Sequence, residues 1–271
     1  MSALTKPEPT ELLSLRQAIN ARTPARLFVG RAGPAYRTTT QLALRQDHAA
    51  ARDAVHEELD LHRDFARDFI ERWELFAVST CATNKANYLL HPERGRRLND
   101  TAREEIVRRC STKADLQIII GDGLSVAAVI TQAPLVLDAL MHEAEGLGWR
   151  CGQPFVIRHC RVGVLNDIGE LLDPEVVMLL IGERPGLATA ESLSAYLAFR
   201  PRSGHTDAER NLISNIHARG VAPATAAVRI IRLAARLRHF QLSGIAVKEE
   251  GVANIAPAIH EKIPGPLVLK A

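Results

Sequence analysis

Two short apolar runs limit what this chain can fold into more than any other feature. Residues 116–121 read LQIIIG and residues 176–182 read VVMLLIG. Each stops at a glycine and is followed at once by an acid, in IIIGDGLS (118–125) and LLIGERPG (179–186). A strand with one wet face alternates apolar and polar residues, whereas a strand covered on both faces reads as a continuous aliphatic run. Both runs are of the second kind. The chain is therefore predicted to be α/β, with a mostly parallel sheet covered by helices on both sides.

The rest of the sequence fits around those runs. From about residue 100, helical and extended patterns alternate. TAREEIVRRC is predicted as a helix, with Thr101 and Glu104 in a capping-box pattern. SVAAVITQAPLVLDALMHEAEGLG is predicted as a helix opened by Ser125 and interrupted at Pro134. QPFVIRHCRVGV is predicted as a strand, NDIGELLD as a short helix, and SLSAYLAFRP and RNLISNI as further strands. PATAAVRIIRLAARLRHFQ is predicted as a helix with Pro223 near its start. Residues 1–99 form a helical front. TELLSLRQAINAR (10–22) is one predicted helix, and 38–75 is one or two more with a break near 57–62. A short extended piece is expected around Tyr88–Leu90. The division is thus 1–99 and 100–271, with an irregular tail at the end.

Composition narrows the function. The chain has 271 residues, 46% hydrophobic and 24% charged, enough for a sizeable core. A net charge of +3 and 4% aromatic residues give no footing for nucleic-acid binding. The four cysteines, Cys81, Cys110, Cys151 and Cys160, make no C-x-x-C pair. No signal core and no run of 18 uncharged apolar residues occurs, so a soluble cytoplasmic protein is expected.

In an open α/β sheet, ligands bind beyond the carboxyl ends of the strands. Both acid-bearing turns are predicted to lie there, which makes Asp122, Gly123, Ser125 and Glu183 candidates for a ligand wall. The plainer reading is that the glycines only turn the chain. GDGLSVAA holds two glycines of a dinucleotide fingerprint but not the third. Ten histidines are present without H-E-x-x-H, and His217 is the one expected nearest the sheet rim. His91, Arg94, Arg96 and Arg97 form a basic cluster that reads as solvated surface or as a face for an acidic partner or a phosphate.

Six stretches taken together carry a resemblance: VGRAGP (29–34), KANYLLHPERGRRL (85–98), IIIGDGLS (118–125), RHCRVGVLNDIGELL (158–172), LLIGERPGLATAESLSAY (179–196) and NLISNIHARGVAP (211–223). In order and spacing they resemble the small subunit of ethanolamine ammonia-lyase. The resemblance implies an adenosylcobalamin-dependent enzyme that converts ethanolamine to acetaldehyde and ammonia. It also implies a Rossmann-like domain with an N-terminal helical region. The large, barrel-shaped subunit would hold the substrate, and the small subunit would close over a cobalamin between the two. Val162, Glu183 and Leu212 match positions that contact the cofactor in that family. Leu212 is a departure, because some relatives have Cys there, and only a backbone contact survives that change. Some relatives carry a longer N-terminal extension associated with packaging into a bacterial microcompartment, and its absence here leaves packaging open. No D-x-H-x-x-G is present; Asp60-Leu61-His62 is the nearest string and lacks the glycine. That fits a family in which cobalt keeps the cofactor's own base. Two rivals stand beside this reading: a stand-alone nucleotide-binding or methyltransfer enzyme, and a scaffold subunit without ligand contacts.

Overall fold

The computed structural model describes residues 14–15, 17–19, 21, 29–186 and 189–249. A small hairpin, β1 (Arg31–Ala32) and β2 (Ala35–Tyr36), leads into helix α1 (Thr38–His56). None of the residues of α1 is buried. The break expected near 57–62 falls at 57–60, before α2 (Leu61–Asp64), where Asp60 accepts hydrogen bonds from the His62 and Arg63 N–H groups. Helix α3 (Arg67–Trp73) follows. The described part of the helix expected over 10–22 is helical, and its other positions and the expected tail lie outside the described residues.

One six-stranded sheet forms the body: β3 (Ala77–Ser79), β4 (Leu116–Gly121), β5 (Phe155–Arg158), β6 (Val176–Gly182), β7 (Leu193–Phe199) and β8 (Asn211–Ile216), in the order β3-β5-β4-β6-β7-β8. The first four are parallel; β7 runs antiparallel to both β6 and β8. Every residue of β4 and β6 is buried, as their composition requires. Their side chains alternate between two cores. Leu116, Ile118 and Ile120 of β4 and Val176, Met178 and Leu180 of β6 face α6 (Val126–Gly146) and α8 (Pro223–Phe240). Ile119, Val177, Leu179 and Ile181 face α5 (Asp100–Arg109) and α7 (Val164–Leu172). The period of two along a strand produces this split.

Four local expectations are corrected. Residues Tyr88–Leu90 are not extended but end α4 (Lys85–Leu90), because Asn84 caps the Asn87 N–H and nucleates a turn. Helix α5 is capped by Asn99, whose side chain accepts from the Ala102 N–H, and not by Thr101. Helix α6 runs through Pro134 unbroken; nine buried side chains, Val126 to Ala144, outweigh the one hydrogen bond proline removes. It is the one described helix long and apolar enough to cross a membrane, and here it covers the sheet. The strand expected over 153–164 stops at Arg158, where the chain turns.

From β4 the chain crosses through α6 to β5 on one side, then through α7 to β6 on the other. The strand order therefore reverses between β4 and β6. A crevice opens at such a point, because the two connecting segments leave in opposite directions. The two acid-bearing turns follow β4 and β6 there.

Candidate functional site

The turn after β4 and the turn after β6 pack on each other. The Leu124 N–H donates to the Gly182 carbonyl at 3.0 Å. Gly123 has φ +56, and a Cβ there would lie 2.2 Å from the Gly182 oxygen. A Cβ on Gly182 would lie 2.0 Å from the Ser125 oxygen. These glycines thus let the two turns meet, which is a tighter use than opening backbone to a ligand.

Asp122 lies behind this contact and is fully buried. Its carboxylate accepts from the His159 N–H (2.9 Å) and the Cys160 N–H (2.8 Å), with Lys85 Nζ 3.5 Å away. It thereby pins the end of β5 to the end of β4, and it explains why β5 stops: two N–H groups go to a side chain. Ser125 is equally buried; its Oγ accepts from the Ala128 N–H as the α6 cap and donates to the Ala190 carbonyl.

Gly123, Val162, Glu183 and Leu212, from four separate segments, line one cavity of about 360 Å³ with Tyr88, Arg161, Tyr196 and Ser214. Glu183 stands on its wall, half-buried. Its Oε1 accepts from Ser194 Oγ (2.5 Å) and the Asn215 N–H (3.0 Å), and its Oε2 from Ser192 Oγ (2.8 Å). The sequence places both hydroxyls correctly: Ser192 and Ser194 are two apart and face the same side at the start of β7, which pairs with the end of β6. A register shift between β7 and β8 at Leu193/Ala195 and a left-handed Asn215 (φ +61) turn that N–H toward Glu183. A carboxylate has about four acceptor sites. Three are filled from within the chain.

His217, expected at the rim, is buried beside the cavity and does not line it. Its Nδ1 accepts from the Arg219 N–H (3.3 Å), so Nε2 carries the proton donated to Asn215 Oδ1 (2.8 Å). Burial, then the nearby Arg219 charge, pushes the imidazole below its ordinary value. Its part is to hold Asn215.

No group here is poised as a nucleophile. Burial pushes the Cys160 thiol well up, and Cys110 and Cys151 up to about 11. Burial and the Asp122 charge raise the Tyr88 hydroxyl, which donates to the Cys160 carbonyl at 2.9 Å. His159 joins Glu58 at 2.7 Å and the Ala82 carbonyl at 3.2 Å. Burial works against the Glu58 charge, but hydrogen bonds from His159 and the Lys85 N–H outweigh it and hold the carboxyl below its usual range. That pair ties the 57–60 break to the β5 turn. Among the described residues no cluster of His, Cys, Asp and Glu is arranged to hold a metal.

A family model for the ethanolamine ammonia-lyase light chain matches residues 14–248. The chain belongs to that family. It is similar to the ethanolamine ammonia-lyase small subunits of Clostridium perfringens (39% identical, covering 85% of this chain and 76% of that protein), Fusobacterium nucleatum (36%, 90% and 84%) and Listeria monocytogenes (38%, 90% and 81%). As a light chain it is one subunit of a lyase.

Within this light chain, the three positions taken from the resemblance, Val162, Glu183 and Leu212, fall on one cavity. Of the three that rest on the sheet-rim argument alone, Gly123 joins them, while Asp122 and Ser125 are behind the wall. Sequence reasoning missed Arg161, Tyr88 and Tyr196. The Arg161 guanidinium lies 4.4 Å from the Tyr88 ring centroid, and its buried Nε has no hydrogen-bond partner. The signal was available: Arg161 stands next to Val162, in the same CRVG turn.

Proposed function

We propose that this chain is the small subunit of an adenosylcobalamin-dependent ethanolamine ammonia-lyase, and that it closes over a cobalamin shared with the large subunit. One observation carries the reading. Four segments far apart in sequence converge at the strand-order reversal, and they bring Gly123, Val162, Glu183 and Leu212 to one wall. The sheet is on this reading Rossmann-like.

The residues fit the group. A cavity of about 360 Å³ is far smaller than a cobalamin, so this chain offers one wall and a partner must supply the rest. The corrin rim carries amides, which both donate and accept. Glu183 has one acceptor site left for an amide N–H, and the Arg161 guanidinium, which lines the same cavity, is a donor type that suits an amide oxygen. Val162, Leu212 and the Tyr196 ring supply apolar contact. No histidine is among the residues lining this cavity, so this wall would offer no imidazole to a bound cobalamin.

Adenosylcobalamin, when bound, would supply radical chemistry. This chain's residues bind, orient and exclude water; the large subunit binds ethanolamine and carries its conversion to acetaldehyde and ammonia. A cytoplasmic location, inside a microcompartment or outside one, goes with this role. The test is reconstitution. The purified chain is expected to release no ammonia from ethanolamine. Mixed with the large subunit and adenosylcobalamin, it is expected to restore turnover. Turnover by the chain alone, at a rate comparable to the mixture, would reject the reading.

A further inference from the structure

Past the Val162–Gly163 turn lies a second cavity of about 530 Å³. Its walls are the 3₁₀ turn Arg94–Arg96, the start of α7 and the loop before β8. Three arginines, Arg96, Arg97 and Arg210, line it. The basic cluster noted in the sequence thus meets a third arginine more than a hundred residues away.

Two of the acids lining this cavity, Asp167 and Asp207, are already committed. Asp167 accepts from the Leu98 N–H (2.8 Å) and pairs with Arg103 (3.2 Å). Asp207 pairs with Arg210. Glu93 lies 3.4 Å from His91. Among the described residues, neither Arg96 nor Arg97 is paired with a carboxylate. The side chain of Arg210 is only 5% exposed. One of its terminal nitrogens meets Asp207, another reaches Asn166 Oδ1 at 3.3 Å, and its Nε is buried without a partner. The stem of Arg96 lies over Gly163, where a Cβ would come within 2.8 Å of Arg96 Cγ, so this arginine is held in place. Burial and the Arg96 charge both disfavour the charged form of Arg210, and Asp207 opposes them. Gathering like charges at a partly dry cavity costs free energy that an anion would offset.

We infer that this cavity binds a phosphate-bearing small molecule, held by Arg96, Arg97 and Arg210. Guanidinium forks match phosphate oxygens two at a time, and charge-assisted bonds of this kind are about twice as strong as neutral ones. The volume falls within the range of small-molecule sites. The Asn166 amide and the loop hydroxyls of Ser203 and Thr206 line the same space. The inference does not rest on the cobalamin reading.

The test is isothermal titration of the purified full-length chain with inorganic phosphate and with pyrophosphate at fixed ionic strength. Saturable binding of one anion per chain is expected. Arg97→Ala, an exposed position whose loss leaves folding intact, is expected to weaken it by about tenfold or more. Arg96→Ala is expected to do the same, and Arg210→Lys, which keeps the charge and loses the fork, to weaken it less. Heat that follows ionic strength without saturating would overturn the inference. So would equal affinity in Arg97→Ala, or tighter binding of a poly-glutamate peptide than of pyrophosphate, which would mark a docking face for an acidic protein. Adenosylcobalamin itself carries a phosphodiester. If adding it with the large subunit excludes pyrophosphate, the cofactor's phosphate is the occupant; if both bind together, a separate phosphorylated compound is. Either result upholds the site.

Discussion

Asp122 and Glu183 each follow the last glycine of a fully buried strand, at neighbouring points of one sheet edge. Asp122 is wholly buried, while Glu183 stands on a cavity wall. Side-chain length separates them. The short Asp122 reaches the N–H groups beside it, those of His159 and Cys160, and the buried Lys85 ammonium, and so becomes a brace. The longer Glu183 reaches across to Ser192, Ser194 and the Asn215 N–H, which fill three of its roughly four acceptor sites. One pattern thus yields a buried turn and a turn on a cavity wall, and the buried one holds the other through the Leu124 N–H and the Gly182 carbonyl.

Removing the brace should have the largest effect. Asp122→Ala leaves two N–H groups without their acceptor, and leaves the buried Lys85 ammonium, which still donates to the Gly123 carbonyl at 3.1 Å, without its counter-charge. Losing one partner of a buried pair costs about 3–5 kcal/mol, so urea denaturation should register a loss of that order. A loss below about 1 kcal/mol would mean water replaces the carboxylate, and the brace would be no brace.

The contact between the turns comes next. Gly182→Ala places a Cβ 2.0 Å from the Ser125 backbone oxygen, which has no flexible end to yield. Overpacking of this kind costs about 1–3 kcal/mol, and the two turns must also separate. Both stability and cofactor affinity should fall together. A stable variant with unchanged affinity would uncouple the turns.

A smaller effect concerns pH. Folding depresses the His217 imidazole below its ordinary value, so the unfolded chain binds the proton more readily. The contribution is therefore fully present above about pH 6.5 and is lost as pH falls below it. Denaturation midpoints between pH 7 and 5 should slope downward toward acid, and His217→Gln should flatten that slope. An unchanged slope would show that the ring is not kept neutral by its site.

The sheet was legible because its two central strands are aliphatic on both faces, as strands covered on both sides are. The cavity was half legible. Val162, Glu183 and Leu212 came from motif resemblance, and Gly123 from the rule about strand ends. That rule also selected Asp122 and Ser125, because it locates an edge and cannot tell which side chains reach through it. Arg161 and Tyr88 were missed because their nearness depends on the fold: Tyr88 sits on a helix where an extended piece was expected, capped by Asn84. The three-arginine cavity was partly visible as a basic cluster, but Arg210 joins it only through the loop before β8.

The central claim is that Glu183 faces a shared cobalamin. The most direct measurement is the adenosylcobalamin affinity of the reconstituted large–small complex carrying Glu183→Gln. The amide keeps the shape, and the hydroxyls of Ser192 and Ser194 can turn to meet it, so the fold should lose about 1 kcal/mol or less. A hydrogen bond to a charged group contributes about 1.5–3 kcal/mol, so affinity should fall by about tenfold or more. Unchanged affinity with a lowered melting temperature would assign Glu183 wholly to Ser192, Ser194 and Asn215, and would contradict the account.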